Sequence, residues 1–390
     1  MNPESDSKKV DEFDAFVHAK KGFDQNLPSL VQRTASQSRN NTRCAVSHFT
    51  SGVFNVVFRV IFDDNVVWVC RVHKNDKDVS PLCVKSKIDS TIATMRYIKL
   101  NLPSVPVPEI YASESDPETS ALKAAYILME ALEGSEVGGN LSPEDECAVY
   151  KQLACVTWQL SGLCFPKIGK LYQSTSTNEF YVGPFVNKHG CEYGPFDTSV
   201  EYFIYEAAKI EAKQAPWRAM SEESNKTSME VCQLYKRAAS LLADHCSGSF
   251  PLVHGDFDKH NALFQRDTEG KLQLTGIVDW DSAIAGSWLQ FCAFPNFLTI
   301  RWPTFERRRY SQFVLDRIKR RRDIFLQQLR KEESASQTPV PGRPSNLHSV
   351  FDSPAVRVAD FINSYSDPYY EAGGEMLRKY LSAWKKDIDW

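Results

Sequence analysis

Residues 252–265 read Leu-Val-His-Gly-Asp-Phe-Asp-Lys-His-Asn-Ala-Leu-Phe-Gln, and residues 277–281 read Ile-Val-Asp-Trp-Asp. Three polar residues in these stretches stand beside short apolar runs of the kind that form buried strands. Asp256 follows the first run, Asn261 comes just before the second, and Asp279 follows the third. The pattern therefore predicts two carboxylates and one carboxamide at strand ends.

Oxygen atoms of this kind are the ligands that Mg²⁺ prefers. A carboxylate that is not committed to a metal can accept a proton from an attacking hydroxyl group, or can orient that group. Phosphoryl transfer fits this set, because it depends on positioning and charge neutralisation more than on covalent chemistry. One Asp or Asn at a strand end is usually only a turn former. The combination of Asp256, Asn261 and Asp279 favours a catalytic site.

The composition is that of a folded globular chain. The 390 residues are 42% hydrophobic and 24% charged, which excludes wholesale disorder and a fibrous chain. A formal charge of -3 provides no global basic field for nucleic acid or an anionic membrane. No apolar run approaches the ~18–20 residues that span a bilayer, and residues 1–10 lack the apolar core of a signal peptide.

The ten cysteines are scattered singly, without a C-x-x-C pair. This spacing argues against a zinc ribbon or a thioredoxin-type motif. We interpret the cysteines as mostly buried small apolar residues in a reducing compartment. We therefore expect a cytoplasmic protein that binds neither nucleic acid nor membrane.

The first third of the chain favours strands. Residues 53–62 and 66–72 are rich in β-branched and aromatic side chains and flank an Asp-Asp-Asn turn, so they predict a hairpin. Apolar spacing of three and four predicts a helix over 86–100. Residues 124–132 predict another strand, and a Glu- and Gly-containing linker follows.

The remainder of the chain favours helices. We expect helices at 143–161, 199–214 and 221–246, and an ordered insertion at 165–197 that is rich in Gly, Pro, Tyr and Asn. The linker divides a small β-rich part from a larger helical part. The expected units are an N-terminal helix and arm at 1–43, a nucleotide-binding lobe at 44–132, and a catalytic lobe at 133–390.

The stretch at 252–281 resembles the catalytic and metal-binding segments of the aminoglycoside phosphotransferase and choline kinase-like family. The Thr-Ser-Gly-Val-Phe-Asn turn at 50–55 and the Tyr-Gly-Pro-Phe segment at 193–196 are similar to those of fungal members. The resemblance covers roughly residues 45–300. It implies an α+β, bilobal protein-kinase-like fold, with a small antiparallel β-sheet in the N-lobe and a larger, mainly helical C-lobe.

The resemblance also implies roles for the residues after 252. Asp256 would be the catalytic base or the group that orients the acceptor hydroxyl, and His254 would brace the catalytic loop by hydrogen bonds. Asn261 and Asp279 would bind Mg²⁺ at the phosphates of ATP. Asp281 resembles a second acid of the family, which either touches a second metal ion or only supports the loop.

In the N-lobe, the resemblance implies a nucleotide site. Ser51 and Gly52 form a turn whose backbone N–H groups can meet phosphate oxygens, and Asn55 resembles the family's loop asparagine. Arg71 stands where kinases place a phosphate-binding lysine, and its guanidinium can hold two phosphate oxygens. The hinge from Glu130 to Leu132 would read adenine through backbone groups.

One departure from the family concerns the helix that follows. The family would place a glutamate near position 91 to orient the strand cation, but this chain has Thr91, and Asp89 lies on another side of the helix. We predict that Arg71 still contacts the phosphates. We also predict that Arg71→Lys lowers activity and that a glutamate installed at 91 restores part of it.

The expected activity is ATP-dependent phosphorylation of a small-molecule hydroxyl group with Mg²⁺. We expect the acceptor pocket between the 252–261 loop and the helical region near 289–303. Most of the aromatic residues there are expected to fill the core, and one or two to face a substrate such as a cationic amine; they are Trp288, Phe291, Phe294, Phe297 and Trp302. A protein kinase is disfavoured by the His-Gly-Asp triplet and by the lack of a recognisable activation segment after Asp281. A non-catalytic nucleotide-binding regulatory protein is the other alternative.

Overall fold

A computed structural model describes residues 26–138, 141–214, 233–234, 236–238, 248–295, 298, 311–336, 339–353, 355–356 and 358–359. Most of the helix expected at 221–246 and nearly all of the segment before Leu27 lie outside these residues. The strands are β1 (Cys44–Ser51), β2 (Asn55–Phe62), β3 (Val67–His73), β4 (Ile110–Glu114), β5 (Tyr126–Glu130), β6 (Ser135–Glu136), β7 (Cys164–Phe165), β8 (Lys170–Gln173), β9 (Phe180–Gly183), β10 (Phe185–Val186), β11 (Glu192–Tyr193), β12 (Phe250–Val253), β13 (Ala262–Arg266), β14 (Leu272–Ile277) and β15 (Ile284–Ala285). The helices are α1 (Leu27–Ser38), α2 (Pro81–Asn101), α3 (Pro143–Leu160), α4 (Ser199–Gln214), α5 (Trp288–Phe291), α6 (Gln312–Ala335) and α7 (Leu347–Phe351).

The N-lobe is built on one antiparallel sheet in the order β1-β2-β3-β5-β4. Alternate residues of β2 are buried, as the period of a half-buried strand requires. Helix α1 covers that buried face with Leu27, Val31 and Ala35, which join the core of the sheet. The predicted hairpin is thus present, and helix α1 before it packs on the lobe.

Helix α2 joins the two lobes. It begins five residues earlier than predicted, because Ser80 caps its N-terminus and Pro81 occupies its first turn. Val84 and Ile88 belong to a small core that includes residues of β5. Met95 and Ile98 belong to the large core of the C-lobe.

The C-lobe combines helices with short strands. Helix α3 packs against α6, where the buried carboxylate of Glu146 pairs with Arg317 and Arg321. The expected insertion at 165–197 contains four two- to four-residue strands. Such strands are too short to show a period in the sequence.

Two small sheets position the catalytic stretch. β12 lies between β7 and β15, and the hairpin β13–β14 pairs with β6. The three apolar runs predicted around Asp256 and Asn261 are therefore β12, β13 and β14. Among the described helices, none is long and apolar enough to cross a membrane.

Candidate active site

The turn after β12 carries Asp256. Gly255 has a φ of +81°, and a Cβ atom added there would lie 2.3 Å from the carbonyl oxygen of Ser282. The left-handed backbone and this close approach both require glycine. They bring the turn of Asp256 against the 3₁₀ turn Trp280–Ser282.

His254 connects the same two turns through its buried ring. Its Nε2 atom lies 3.1 Å from the carbonyl oxygen of Val278, and its Nδ1 atom accepts the backbone N–H of Asp256 at 3.3 Å. These contacts fit a neutral imidazole that carries its proton on Nε2. Burial lowers the pKa of His254 to about 4, because desolvation disfavours the imidazolium.

Asn261 holds the carboxylate of Asp256. Its Nδ2 atom donates to the backbone carbonyl of Asp256 at 2.8 Å and to Oδ2 of the Asp256 side chain at 3.3 Å. The turn Lys259–Asn261 that carries it is capped by the side chain of Asp258, which accepts from the N–H of Lys259. The five-residue spacing in the sequence therefore closes one local turn around the carboxylate.

Asp279 lies at the end of β14 with a left-handed backbone, φ 62° and ψ 59°. Its side chain is 46% exposed, and Oδ1 accepts from Nη1 of Arg71 at 3.2 Å. The pKa of Asp279 is raised by desolvation and then by the negative charge of Asp281. Because the charged form of Asp279 is disfavoured, a nearby cation stabilises it.

Asp281, two residues later, has a different environment. Its side chain is only 8% exposed; Oδ1 lies 2.6 Å from Nη2 of Arg71, and Oδ2 lies 3.3 Å from Nζ of Lys87. The hydroxyl of Thr91 lies 3.1 Å from Oδ1. Burial raises the pKa of Asp281, but the charges and hydrogen bonds of Arg71 and Lys87 outweigh it and hold the pKa well below its usual range. Asp89 pairs instead with Lys85.

Sequence reasoning missed two cations of the site. Lys87 precedes Thr91 by four residues, so helical spacing alone would have placed both on one face of α2. Lys170 of β8 donates to the carbonyl oxygens of Asp281 and Ala283 at 2.9 and 3.0 Å. Burial lowers the pKa of Lys170 to about 8. No local pattern marked Lys170, because its partners lie more than 100 residues away.

The turn between β1 and β2 lies over these groups. Gly52 donates its N–H to the carbonyl of Asn55 at 2.9 Å, and a Cβ atom at Gly52 would meet no described atom within 4 Å. The Phe54 ring lies 4.3 Å from Nζ of Lys87. Asn55 donates to Oδ2 of Asp281 at 3.5 Å. Ser51 ends β1 and is close to His48, whose Nε2 lies 3.1 Å from its hydroxyl.

The model of the phosphotransferase enzyme family matches residues 46–290, more than half of the chain. The chain belongs to this phosphotransferase family. No curated protein matches the sequence. The family predicted from the catalytic stretch is therefore confirmed.

Two solved structures share the fold over most of both chains. One is a protein of Ralstonia eutropha JMP134 assigned to the aminoglycoside phosphotransferases, with 15% identity, 91% of this chain and 99% of the other covered, and a TM-score of 0.51. The other is a protein of Thermobifida fusca YX-ER1 assigned as a fructosamine-3-kinase, with 13% identity, coverages of 90% and 98%, and a TM-score of 0.51. The predicted α+β, protein-kinase-like fold is confirmed.

In this phosphotransferase, the residues fit a magnesium nucleotide. The amide nitrogen of Asn261 is engaged with Asp256, which leaves the amide oxygen as the atom to face a cation. Asp279 is half exposed, and only its Oδ1 is paired with Arg71. Among the described residues, no three His, Cys, Asp or Glu side chains converge as a metal cluster. Mg²⁺ sites of nucleotide enzymes commonly use one or two protein ligands together with phosphates and water.

A second observation concerns the nucleotide itself. The Nε atom of Arg71 and the Oδ1 atom of Asn55 are buried without a hydrogen-bond partner among the described residues. Unpaired buried polar atoms are unfavourable by about 1–3 kcal/mol each. Phosphate oxygens, and water molecules bound to them, are acceptors of the kind that the Nε–H group of Arg71 lacks.

The predicted hinge follows β5. The Glu130 side chain accepts the backbone N–H of Glu109 at 3.0 Å and lies 3.5 Å from Nζ of Lys99, so it is occupied within the N-lobe. Leu132 packs over Gly276 of β14, where an added Cβ would lie 2.7 Å from its Cδ1 atom. Any reading of adenine by this hinge would use backbone groups.

Of the aromatic residues near 289–303, those that the structure describes lie mostly in the core, as expected. Trp288 and Phe291 are buried in the C-lobe core, and Phe294 packs against Phe325 and Phe351. Phe297 and Trp302 lie outside the described residues. A cavity of about 270 Å³ occurs elsewhere in the C-lobe; its lining residues are Val137, Gly138, Leu141, Val149, Tyr150, Leu153, Asp258, Lys259, Phe264 and Arg321.

Proposed function

We propose that this phosphotransferase moves the γ-phosphate of ATP to a hydroxyl group of a small molecule, with Mg²⁺ as the metal ion. The observation that carries the proposal is the contact of Asn261 with Asp256, which fixes the Asp256 carboxylate in its turn. That turn packs at Gly255 against the segment that carries the exposed carboxylate of Asp279, so the two turns form one unit. Such a unit separates the hydroxyl-orienting group from the metal ligand.

Asp256 accepts or orients the proton of the attacking hydroxyl. The amide of Asn261 and the backbone of the Gly255 turn fix the direction of this carboxylate, and neutral His254 ties the turn to Val278. Fixed geometry of this kind lowers the barrier of a bimolecular step because orientation is established before reaction.

Asn261 and Asp279 would hold Mg²⁺, which when bound neutralises charge on the phosphate oxygens. Arg71 adds a permanent positive charge beside Asp279. Because its guanidinium is planar and always charged, it can contact two phosphate oxygens at once. The turn at Ser51 and Gly52 would cover the phosphates with backbone N–H groups.

A small acceptor is better supported than a protein. The chain passes from the 3₁₀ turn Trp280–Ser282 to β15 and then to α5 within a few residues, which leaves no room for a long peptide-binding segment there. The cavity of about 270 Å³ borders the catalytic turn through Asp258 and Lys259 and has the size of a small molecule. The two similar structures are also named for small-molecule acceptors.

The test is an ADP-release screen with Mg²⁺ and a broad library of amine alcohols, sugars and hydroxylated metabolites. With an accepted substrate, Asp256→Asn should lower turnover by roughly 10²–10⁴-fold while ATP affinity, measured by calorimetry, stays within a few-fold. Near wild-type turnover of Asp256→Asn would remove this residue from the mechanism.

The same screen separates the alternatives. Phosphate transfer to peptides but to no small molecule would indicate a protein kinase. Magnesium-dependent ATP binding without ADP release for any acceptor would indicate a non-catalytic nucleotide-binding protein.

A further inference from the structure

The carboxylate of Asp281 is the meeting point of four side chains from the N-lobe. Arg71 of β3 and Thr91 of α2 contact its Oδ1 atom at 2.6 and 3.1 Å. Lys87 of α2 and Asn55 of β2 contact its Oδ2 atom at 3.3 and 3.5 Å. Two of these side chains, Arg71 and Lys87, carry a full positive charge, and the hydroxyl proton of Thr91 is shared between Asp281 and the closer carbonyl oxygen of Lys87.

We propose that Asp281 is a positioning residue and not a metal ligand. It supplies the carboxylate that position 91 lacks, and it holds Arg71 and Lys87 as two cations for the nucleotide phosphates. This inference rests on the proposed function, and it assigns Lys87 as a second phosphate-contacting side chain.

The contacts argue against a metal ion on Asp281. Mg²⁺ requires oxygen lone pairs in a near-octahedral shell. Both oxygens of Asp281 already face cations or donors, and a divalent cation there would be repelled by Lys87 as well as by Arg71, whereas Asp279 pairs with Arg71 alone. Asp279 differs, because its side chain is 46% exposed against 8% for Asp281.

Helix α2 carries Thr91 where the family would carry a glutamate, and it carries a cation, Lys87, one turn earlier. Thr91 is 1% exposed, and its hydroxyl lies within hydrogen-bonding distance of both the Lys87 carbonyl and Asp281. A glutamate at 91 would therefore face the carboxylate of Asp281. This finding reverses the expectation that a glutamate at 91 rescues Arg71→Lys, because two buried carboxylates repel each other.

Lys87 also contacts the turn that would cover the phosphates. Its ammonium lies 4.3 Å from the ring of Phe54, which is 58% exposed at the tip of that turn. The same ammonium lies 3.3 Å from Asp281. Lys87 is thus placed between the turn above the phosphates and the segment that follows Asp279.

The decisive comparison is Asp281→Asn against Asp279→Asn, in protein free of metal and nucleotide. Removing one partner of a buried charge pair leaves the others unpaired, so Asp281→Asn should lower the melting temperature by roughly 5–10 °C. Asp279→Asn should change the melting temperature less, because the Asp279 side chain is 46% exposed and only its Oδ1 atom is paired with Arg71.

The metal requirement is measured by titrating Mg²⁺ at fixed ATP and following nucleotide affinity by calorimetry. For Asp281→Asn we expect half-saturation by Mg²⁺ within about two-fold of wild type. A ten-fold or larger increase would overturn the proposal, whatever the melting temperature does.

Lys87→Met keeps the test possible if Asp281→Asn does not fold. It should weaken ATP binding by about ten-fold without changing the Mg²⁺ requirement. The matched control is Lys85→Met, which removes a lysine of the same helix that pairs with Asp89 on the surface. Equal ATP affinity of the two variants would overturn the assignment of Lys87.

Failure of the inference is distinguishable from failure of the proposed function. If the wild-type protein does not bind ATP with Mg²⁺, the proposed function fails. If it binds ATP and Asp281→Asn behaves as a metal-ligand variant, only the inference fails.

Discussion

Replacing Gly255 with alanine tests whether the catalytic turn depends on one close backbone contact. The new Cβ atom would lie 2.3 Å from the carbonyl oxygen of Ser282. An ordinary contact needs about 1 Å more, so the turn that carries Asp256 must move by that amount. The φ of +81° adds conformational strain for any residue with a side chain.

The magnitude follows from these two terms. A left-handed backbone is unfavourable for alanine by roughly 1–2 kcal/mol, and overpacking typically adds about 1–3 kcal/mol. We expect Gly255→Ala to lower the free energy of unfolding by roughly 2–5 kcal/mol. A displacement of about 1 Å at the reacting groups should lower turnover by about 10²-fold.

Gly270→Ala is the matched control. Gly270 has a φ of +79° in the exposed turn between β13 and β14, and an added Cβ atom there would meet no described atom within 4 Å. It therefore carries the backbone strain without the clash. Urea unfolding of both variants gives the stability difference, and ADP release gives turnover. Equal losses of stability, together with wild-type turnover for Gly255→Ala, would refute the reasoning.

Three further predictions concern the metal ligand, the strand cation and pH. Asp279→Ala should weaken Mg-ATP binding by roughly ten-fold or more, and unchanged affinity in calorimetry would make Asp279 structural. Arg71→Lys should lower ATP turnover because one ammonium cannot replace the two nitrogen atoms with which Arg71 contacts Asp279 and Asp281. Adding Thr91→Glu should lower turnover further; recovery in the double variant would contradict this. Burial lowers the pKa of His254 from its ordinary value of about 6.5 to about 4, so acidification through this window favours the unfolded chain. His254→Gln should remove up to about 3 kcal/mol of that pH-dependent loss, and an unchanged dependence of stability on pH in urea unfolding would contradict this prediction.

The contact between Asp256 and Asn261 could be predicted from the sequence. Asp256 and Asn261 are five residues apart and meet through one turn, so their spacing already encodes their contact. The strands β2, β3 and β5 follow from residue patterns because each has a long enough run of β-branched and apolar residues. The sequence showed that Thr91 departs from the glutamate of the family. It did not show that Arg71 pairs with Asp281 instead.

The short strands of 165–197 were not predictable, because two to four residues cannot display a period. The sequence also could not show which aromatic side chain near 289–303 faces an acceptor. The aromatic residues near 289–303 that are described mostly fill the core, and sequence alone does not distinguish a core aromatic from one that faces a ligand.

The sequence by itself determined the family and the fold class, through the resemblance at residues 252–281, and it determined the local turn that joins Asp256 to Asn261, because these two residues are only five positions apart. Only the tertiary structure decided which carboxylates form ion pairs with Arg71. Asp281 contacts Asn55 and Thr91 across separations of 226 and 190 residues. Its charge is stabilised by groups that the folded chain brings together from two strands and a helix, and no local pattern specifies such a set. The physical reason is that a buried charged group must be paired, whereas the identity of its partner depends on which segments pack beside it in the folded chain.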